Sequence, residues 1–93
     1  MDNQHRKISG YRELSQTEID LMNKIKALGP QIQSVVEKIK AHVGEQRLAA
    51  DSNSEEMGRL DAADPEMWVG WGAGSAQLAL MQLTRAVAQP TFF

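Results

Sequence analysis

From Leu21 onward, apolar residues recur at alternating spacings of four and three: Leu21, Ile25, Leu28, Ile32, Val35, Ile39, then His42 or Val43. A period near 3.5 belongs to a helix packed along another helix. The start is marked by Ser15-Gln16-Thr17-Glu18, a capping box: the serine oxygen accepts from the backbone at Glu18, and the glutamate reaches back. The pattern runs through Gly29-Pro30, so the helix is expected to continue there with a kink. Pro30 cannot donate to the Lys26 carbonyl, and its ring crowds that turn. A break into two helices is the alternative. The helix is expected to end between His42 and Ala50, with Gly44 one stop candidate.

A second helix begins at Asp64-Pro65, a capping acid followed by a proline suited to the first helical position. Val69, Ala73, Ala76, Leu80, Leu83 and Val87 repeat the four-three alternation until Pro90 ends it. The chain divides into an arm (1–14), a first long helix (15–48), an exposed connection (49–63) with a helical turn around Glu55–Leu60, a second helix (64–89) and a tail (90–93). The fold class is all-α: an antiparallel two-helix hairpin with a short N-terminal arm or helix, forming one domain. Both helices are longer than a lone hairpin can shield. A chain of 93 residues buries only about 60% of its unfolded surface, so self-association is a natural route to stability. Phe92-Phe93 is expected to pack on the domain or on a neighbouring subunit.

Composition narrows the function. There is no cysteine, which excludes a disulfide framework and thiolate chemistry. Net charge is −2 and pI about 5.6, unlike a duplex DNA binder. No apolar run reaches the roughly 18 residues that span a membrane, and the polar N-terminus lacks a signal core. Charge is uneven: residues 1–40 carry seven basic and five acidic residues, residues 41–67 two basic and seven acidic, and residues 68–93 only Arg85.

Gly70-Trp71-Gly72-Ala73-Gly74-Ser75-Ala76 is the most unusual stretch. A phosphate cradle would need a preceding strand and a following Lys-Ser/Thr pair, and both are missing. Close approach by a helix, a subunit or a ligand fits better, because each glycine costs a helix about 1 kcal/mol against alanine. Trp68 and Trp71 share a helical face and read as packing or interface anchors; Met22, Met57, Met67 and Met81 read as adaptable packing. Tyr11, Lys24 and Lys26 form a candidate ligand set, since tyrosine stacks on bases and lysine carries a point charge for phosphate. The alternative is a surface tyrosine with two solvated lysines. His5 and His42 lack ligand-spaced partners, so neither a metal nor a cofactor is expected. No residue presents itself as nucleophile or catalytic base, and the chain reads as non-enzymatic.

Two segments carry a resemblance. The run from His5 to Ser15 (HRKISGYRELS), continued by Glu18 to Gly29 (EIDLMNKIKALG), resembles the phage anti-CBASS hairpin family, sponges for the cyclic nucleotide signals of bacterial immunity. Arg85-Ala86-Val87-Ala88-Gln89-Pro90 looks like the same family's ending. The resemblance implies a hexamer acting in the host bacterial cytoplasm, with pockets between protomers for cyclic dinucleotides such as cyclic GMP–AMP. In some members it also implies separate cyclic trinucleotide pockets. It assigns base stacking to Tyr11 and phosphate binding to Lys26, with Arg12 and Met22 joining the ligand-binding set. Members often carry an arginine before the tryptophan that opens the second helix; here Met67 stands there, and Leu28 likewise offers a ligand no polar group. The competing functional readings are a cyclic-nucleotide hydrolase and a helical adaptor binding a protein through its Trp and Phe surface.

Overall fold

The computed structural model describes residues 13–92. Three helices follow in order: α1 (Gln16–Ala49), α2 (Ser54–Ala63) and α3 (Pro65–Ala88). The start of α1 is closed by the capping box. The Glu18 amide donates to Ser15 Oγ at 3.2 Å, and the Ser15 amide donates to Glu18 Oε1 at 2.8 Å. These bonds satisfy two of the donors that a helix start leaves without intrahelical partners. Thirty-four residues give α1 a length of about 51 Å at 1.5 Å per residue.

The helix passes through Pro30 without ending. Gly29 eases this passage, because a residue before proline is disfavoured in the α region chiefly by its side chain and glycine has none. The same absence of a side chain lets α3 come near: a Cβ at Gly29 would stand 4.0 Å from Leu80 Cδ1. Gly44 does not stop the helix, which runs on to Ala49.

The expected exposed connection is instead mostly a ten-residue helix. Asn53 caps α2 by accepting from the Glu56 amide at 3.1 Å. Leu60, inside that stretch, is among the most buried residues of the protomer at 1% exposure, beside Ala50 at 1% and Val43 at 5%. The sequence reading underrated this stretch because its charges, Glu55, Glu56, Arg59 and Asp61, obscure a single inward position. Asp64 then ends α2 and starts α3. It adopts a left-handed conformation (φ 49°), its amide donates to the Leu60 carbonyl, and its side chain accepts from the Met67 amide at 3.4 Å. The expected cap at Asp64 and the first-turn proline are both present.

α1 and α3 run antiparallel. Ile25 and Gly29 share a groove with Leu80 and Ala88, while Val43 shares one with Val69 at the other end. Along α3 the covered positions include Val69, Ala73, Ala76, Leu80, Thr84 and Val87. Thr84 replaces the expected Leu83, which is 51% exposed. Thr84 is tolerated inward because its hydroxyl donates back to the Leu80 carbonyl at 2.8 Å. On α1 the half-covered or buried positions are Met22, Ile25, Gly29, Ile32, Val36 and Val43. The remaining seam residues stay open: Leu21 at 43%, Leu28 at 42%, Val35 at 55% and Ile39 at 43% exposure. The seam is wider than one partner helix covers.

α3 is open on its far side too. Trp71 (59%), Leu78 (53%) and Met81 (68%) line up with Gly74 at helical spacing. No charge lies between Glu66 and Arg85. A helix with so much uncharged, apolar surface outside its intramolecular contact is suited to a further neighbour. Among the described residues no helix is long and apolar enough to cross a membrane. The expected close packing on the glycines is absent among the described residues of the protomer, where nothing lies within 4 Å of a Cβ built at Gly70, Gly72 or Gly74. Total accessible surface is 7343 Å², against about 5,400 Å² for a folded monomer of this mass.

Candidate functional site

Lys26 lies on α1 one turn after Met22, which is half-buried. It borders a groove of about 500 Å³ between the N-terminal half of α1 and the C-terminal half of α3. Ile25, Gly29, Leu80, Met81 and Ala88 give the groove an apolar surface; Pro90 closes one end, and Lys26 and Arg85 supply its charges. Among the described residues no carboxylate, histidine or thiol lines it. The hydroxyl of Thr84 is engaged with the Leu80 carbonyl at 2.8 Å.

The two cations come from different helices. Lys26 is exposed, and neither it nor Arg85 has an acidic partner among the described residues. Arg85 Nη2 donates to the Phe92 carbonyl at 2.6 Å, which folds the tail back over the last turn of α3. Phe92 is 43% exposed. Pro30 adds a backbone feature: lacking an N–H, it leaves the Lys26 carbonyl without its intrahelical donor. Beyond Gly29 and Leu80 the furrow continues as a second, more polar cavity of about 580 Å³, bordered by Gln33, Glu37, Lys40 and Gln77. There Gln33 Nε2 donates to Glu37 Oε1 at 3.3 Å.

A groove with an apolar floor, cations at its edge and no facing acid suits an amphipathic anion, with flat apolar parts on the floor and phosphate at the edge. Of the residues expected to bind ligand, Lys26 lies on this groove and Met22 lies one turn away; Lys24 is exposed on α1. Tyr11 and Arg12 lie outside the described residues. Arg85 was not singled out as a ligand residue from the sequence, although a lone charge after Glu66 in an otherwise uncharged helix was a usable signal.

At the opposite end Arg47 holds the three helices together, and nothing in the sequence pattern marked it. Its Nε and Nη2 donate to the two oxygens of Glu66 at 2.8 and 3.0 Å, and Nη1 donates to Asp61 Oδ1 at 2.6 Å. Nη1 also lies 3.2 Å from Met57 Sδ. The paired guanidinium holds the Glu66 carboxyl below the ordinary carboxylate range, with help from a backbone hydrogen bond. Arg59 does the same to Glu56. On the far side of the hairpin, Trp68 and Trp71 meet edge to face with centroids 5.1 Å apart, each 59% exposed. An aromatic pair this open has the character of an interface anchor.

Comparison with known proteins adds to this geometry. No protein-family model matches the chain. It is 39% identical to "Anti-CBASS protein 2" of Pseudomonas phage JBD67 over a 105-position alignment that covers 97% of each chain.

Proposed function

The chain belongs to the anti-CBASS protein 2 family of phages, and from that premise we propose that it blocks CBASS signalling by sequestering cyclic dinucleotides without cleaving them. Cyclic GMP–AMP is the type ligand. The observation that carries this reading is Lys26: a lysine with no acidic partner among the described residues, at the edge of an apolar groove, on the helix where the family resemblance expects a phosphate-binding lysine. A sponge needs affinity and abundance but no attacking group.

The groove is too open to enclose a charged ring alone. The pocket is completed where copies meet, in a homo-oligomer that we take to be a hexamer. Two observations support assembly: an accessible surface roughly 2,000 Å² above that of a compact monomer, and a radius of gyration of 20.5 Å where about 12 Å is usual for this length. Open apolar stripes on α1 and α3 supply the contacting faces. Tyr11 and Arg12 from the arm join Lys26, with Tyr11 stacking on a base. The protein acts in the cytoplasm of the infected bacterium, where such signals are made.

The test is to mix the protein with cyclic GMP–AMP, heat-denature it and analyse the released ligand. Intact cyclic ligand is the expected outcome, whereas linear product would mean a hydrolase. Lys26→Ala and Tyr11→Ala should each abolish binding and leave the assembly intact. A cyclic trinucleotide belongs in the same panel, because Leu28 and Met67 give a second pocket no polar group. The competing reading, a helical adaptor, draws on the exposed Trp68–Trp71 pair. Calorimetry in which no cyclic nucleotide binds would favour it.

A further inference from the structure

We propose that Arg85 is a second phosphate-binding cation of this groove, acting with Lys26 on a cyclic dinucleotide. The inference rests on the sequestration reading above and adds a residue that neither the motif nor the sequence pattern assigned. Three observations carry it. First, Arg85 and Lys26 stand on different helices, about sixty residues apart in sequence, yet border the same apolar groove. Second, charge in this protein is otherwise paired at its arginines: among the described residues Arg47 and Arg59 are held by carboxylates, and Arg85 is not. Third, Arg85 is already positioned. Among the described residues its one hydrogen bond runs from Nη2 to the Phe92 carbonyl at 2.6 Å, so most of a guanidinium's five N–H donors are left for a ligand.

The chemistry follows from the two side chains. Lysine is a compact point charge, whereas arginine offers a planar fork that matches two oxygens of a phosphodiester. Holding the guanidinium on the tail carbonyl lowers the ordering cost of binding. The flat bases then lie against Ile25, Leu80 and Met81, with the phosphate edge between the two cations.

A purely structural role for Arg85 is the competing explanation, because a cation in the last turn also suits the helix dipole. Three variants separate the two: Arg85→Gln, which keeps a donor for the Phe92 carbonyl but loses the charge; Arg85→Lys, which keeps the charge but loses the fork; and Lys26→Ala. Affinity for cyclic GMP–AMP is measured by calorimetry, and each variant is checked for melting temperature and oligomer size. The expected result is at least about tenfold weaker binding by Arg85→Gln at unchanged size and melting temperature, the scale of one charge-assisted hydrogen bond. Arg85→Lys should fall between it and the unmodified protein. If Arg85→Gln binds within threefold of the unmodified protein while Lys26→Ala fails to bind, Arg85 is no ligand residue and the sequestration reading stands. If the unmodified protein binds no cyclic dinucleotide at all, both proposals fall.

Discussion

Leu78 is the position at which assembly is most directly tested. It lies at the middle of the open face of α3, between Trp71 and Met81, and is 53% exposed in the protomer. Burying a leucine fully is worth about 1.5–3 kcal/mol. Covering the remaining half by a neighbouring copy therefore contributes about 1–1.5 kcal/mol per protomer. Leu78→Asp removes that gain and places a carboxylate where the neighbour would strip its water, bringing the total loss to about 4 kcal/mol per contact. At 1.4 kcal/mol per factor of ten, the dissociation constant of the contact rises roughly a thousandfold. Sedimentation velocity at low micromolar concentration should then show a smaller species, with the helical circular dichroism retained. Ser52→Asp, which adds the same charge at an exposed turn, is the control and should leave the sedimentation unchanged. Gly74→Ala sharpens the test. None of the described residues of the protomer lies within 4 Å of its added Cβ, and alanine favours the helix by about 1 kcal/mol. Weaker assembly in that variant would mark close approach by a neighbour. A folded Leu78→Asp protein that sediments like the original would refute the reasoning, as would an unmodified protein that is monomeric at the same concentration.

Other outcomes follow from the fold. Leu60→Ala, at a side chain 1% exposed, should cost about 2–5 kcal/mol in urea denaturation followed by circular dichroism. Pro30→Ala should raise stability by about 1–3 kcal/mol in the same assay, because it restores a donor to the Lys26 carbonyl at an exposed position. Acid should weaken the Arg47 junction and the Arg59–Glu56 pair. Glu66 and Glu56 are held below their ordinary value of 4.5, so their contribution is fully present above that value and is lost as pH falls through their lowered folded values. The melting temperature should decline with acid below about pH 4.5 from this source, and Glu66→Gln should flatten that part of the curve.

The helices themselves were legible because their signals are local. A capping box, a capping aspartate followed by proline, and a three-four apolar rhythm each depend on residues within one or two turns; Ser15 and Asp64 cap as expected and α1 is one helix, although Leu21, Leu28, Val35 and Ile39 of its seam stay exposed in the protomer. The connection misled for a related reason: the charged residues of α2 dominate its composition, while the buried Leu60 gains its meaning only from what folds against it. The ligand side divides in the same way. Lys26 was reached through a resemblance in a contiguous run of residues. Arg85 emerged only once the antiparallel pairing of α1 and α3 brought it to the same groove.

Read alone, the sequence determined where α1 and α3 begin and that their apolar surface exceeds what one hairpin covers, since periodicity and capping are properties of neighbouring residues. The tertiary structure decided which part of each apolar stripe is used within the protomer and which stays open, because that depends on the angle at which α3 crosses the seam of α1. It also decided which charges are neutralised. Arg47 meets Asp61 and Glu66 only when three helices converge, whereas Lys26 and Arg85 meet across a groove with no acid between them.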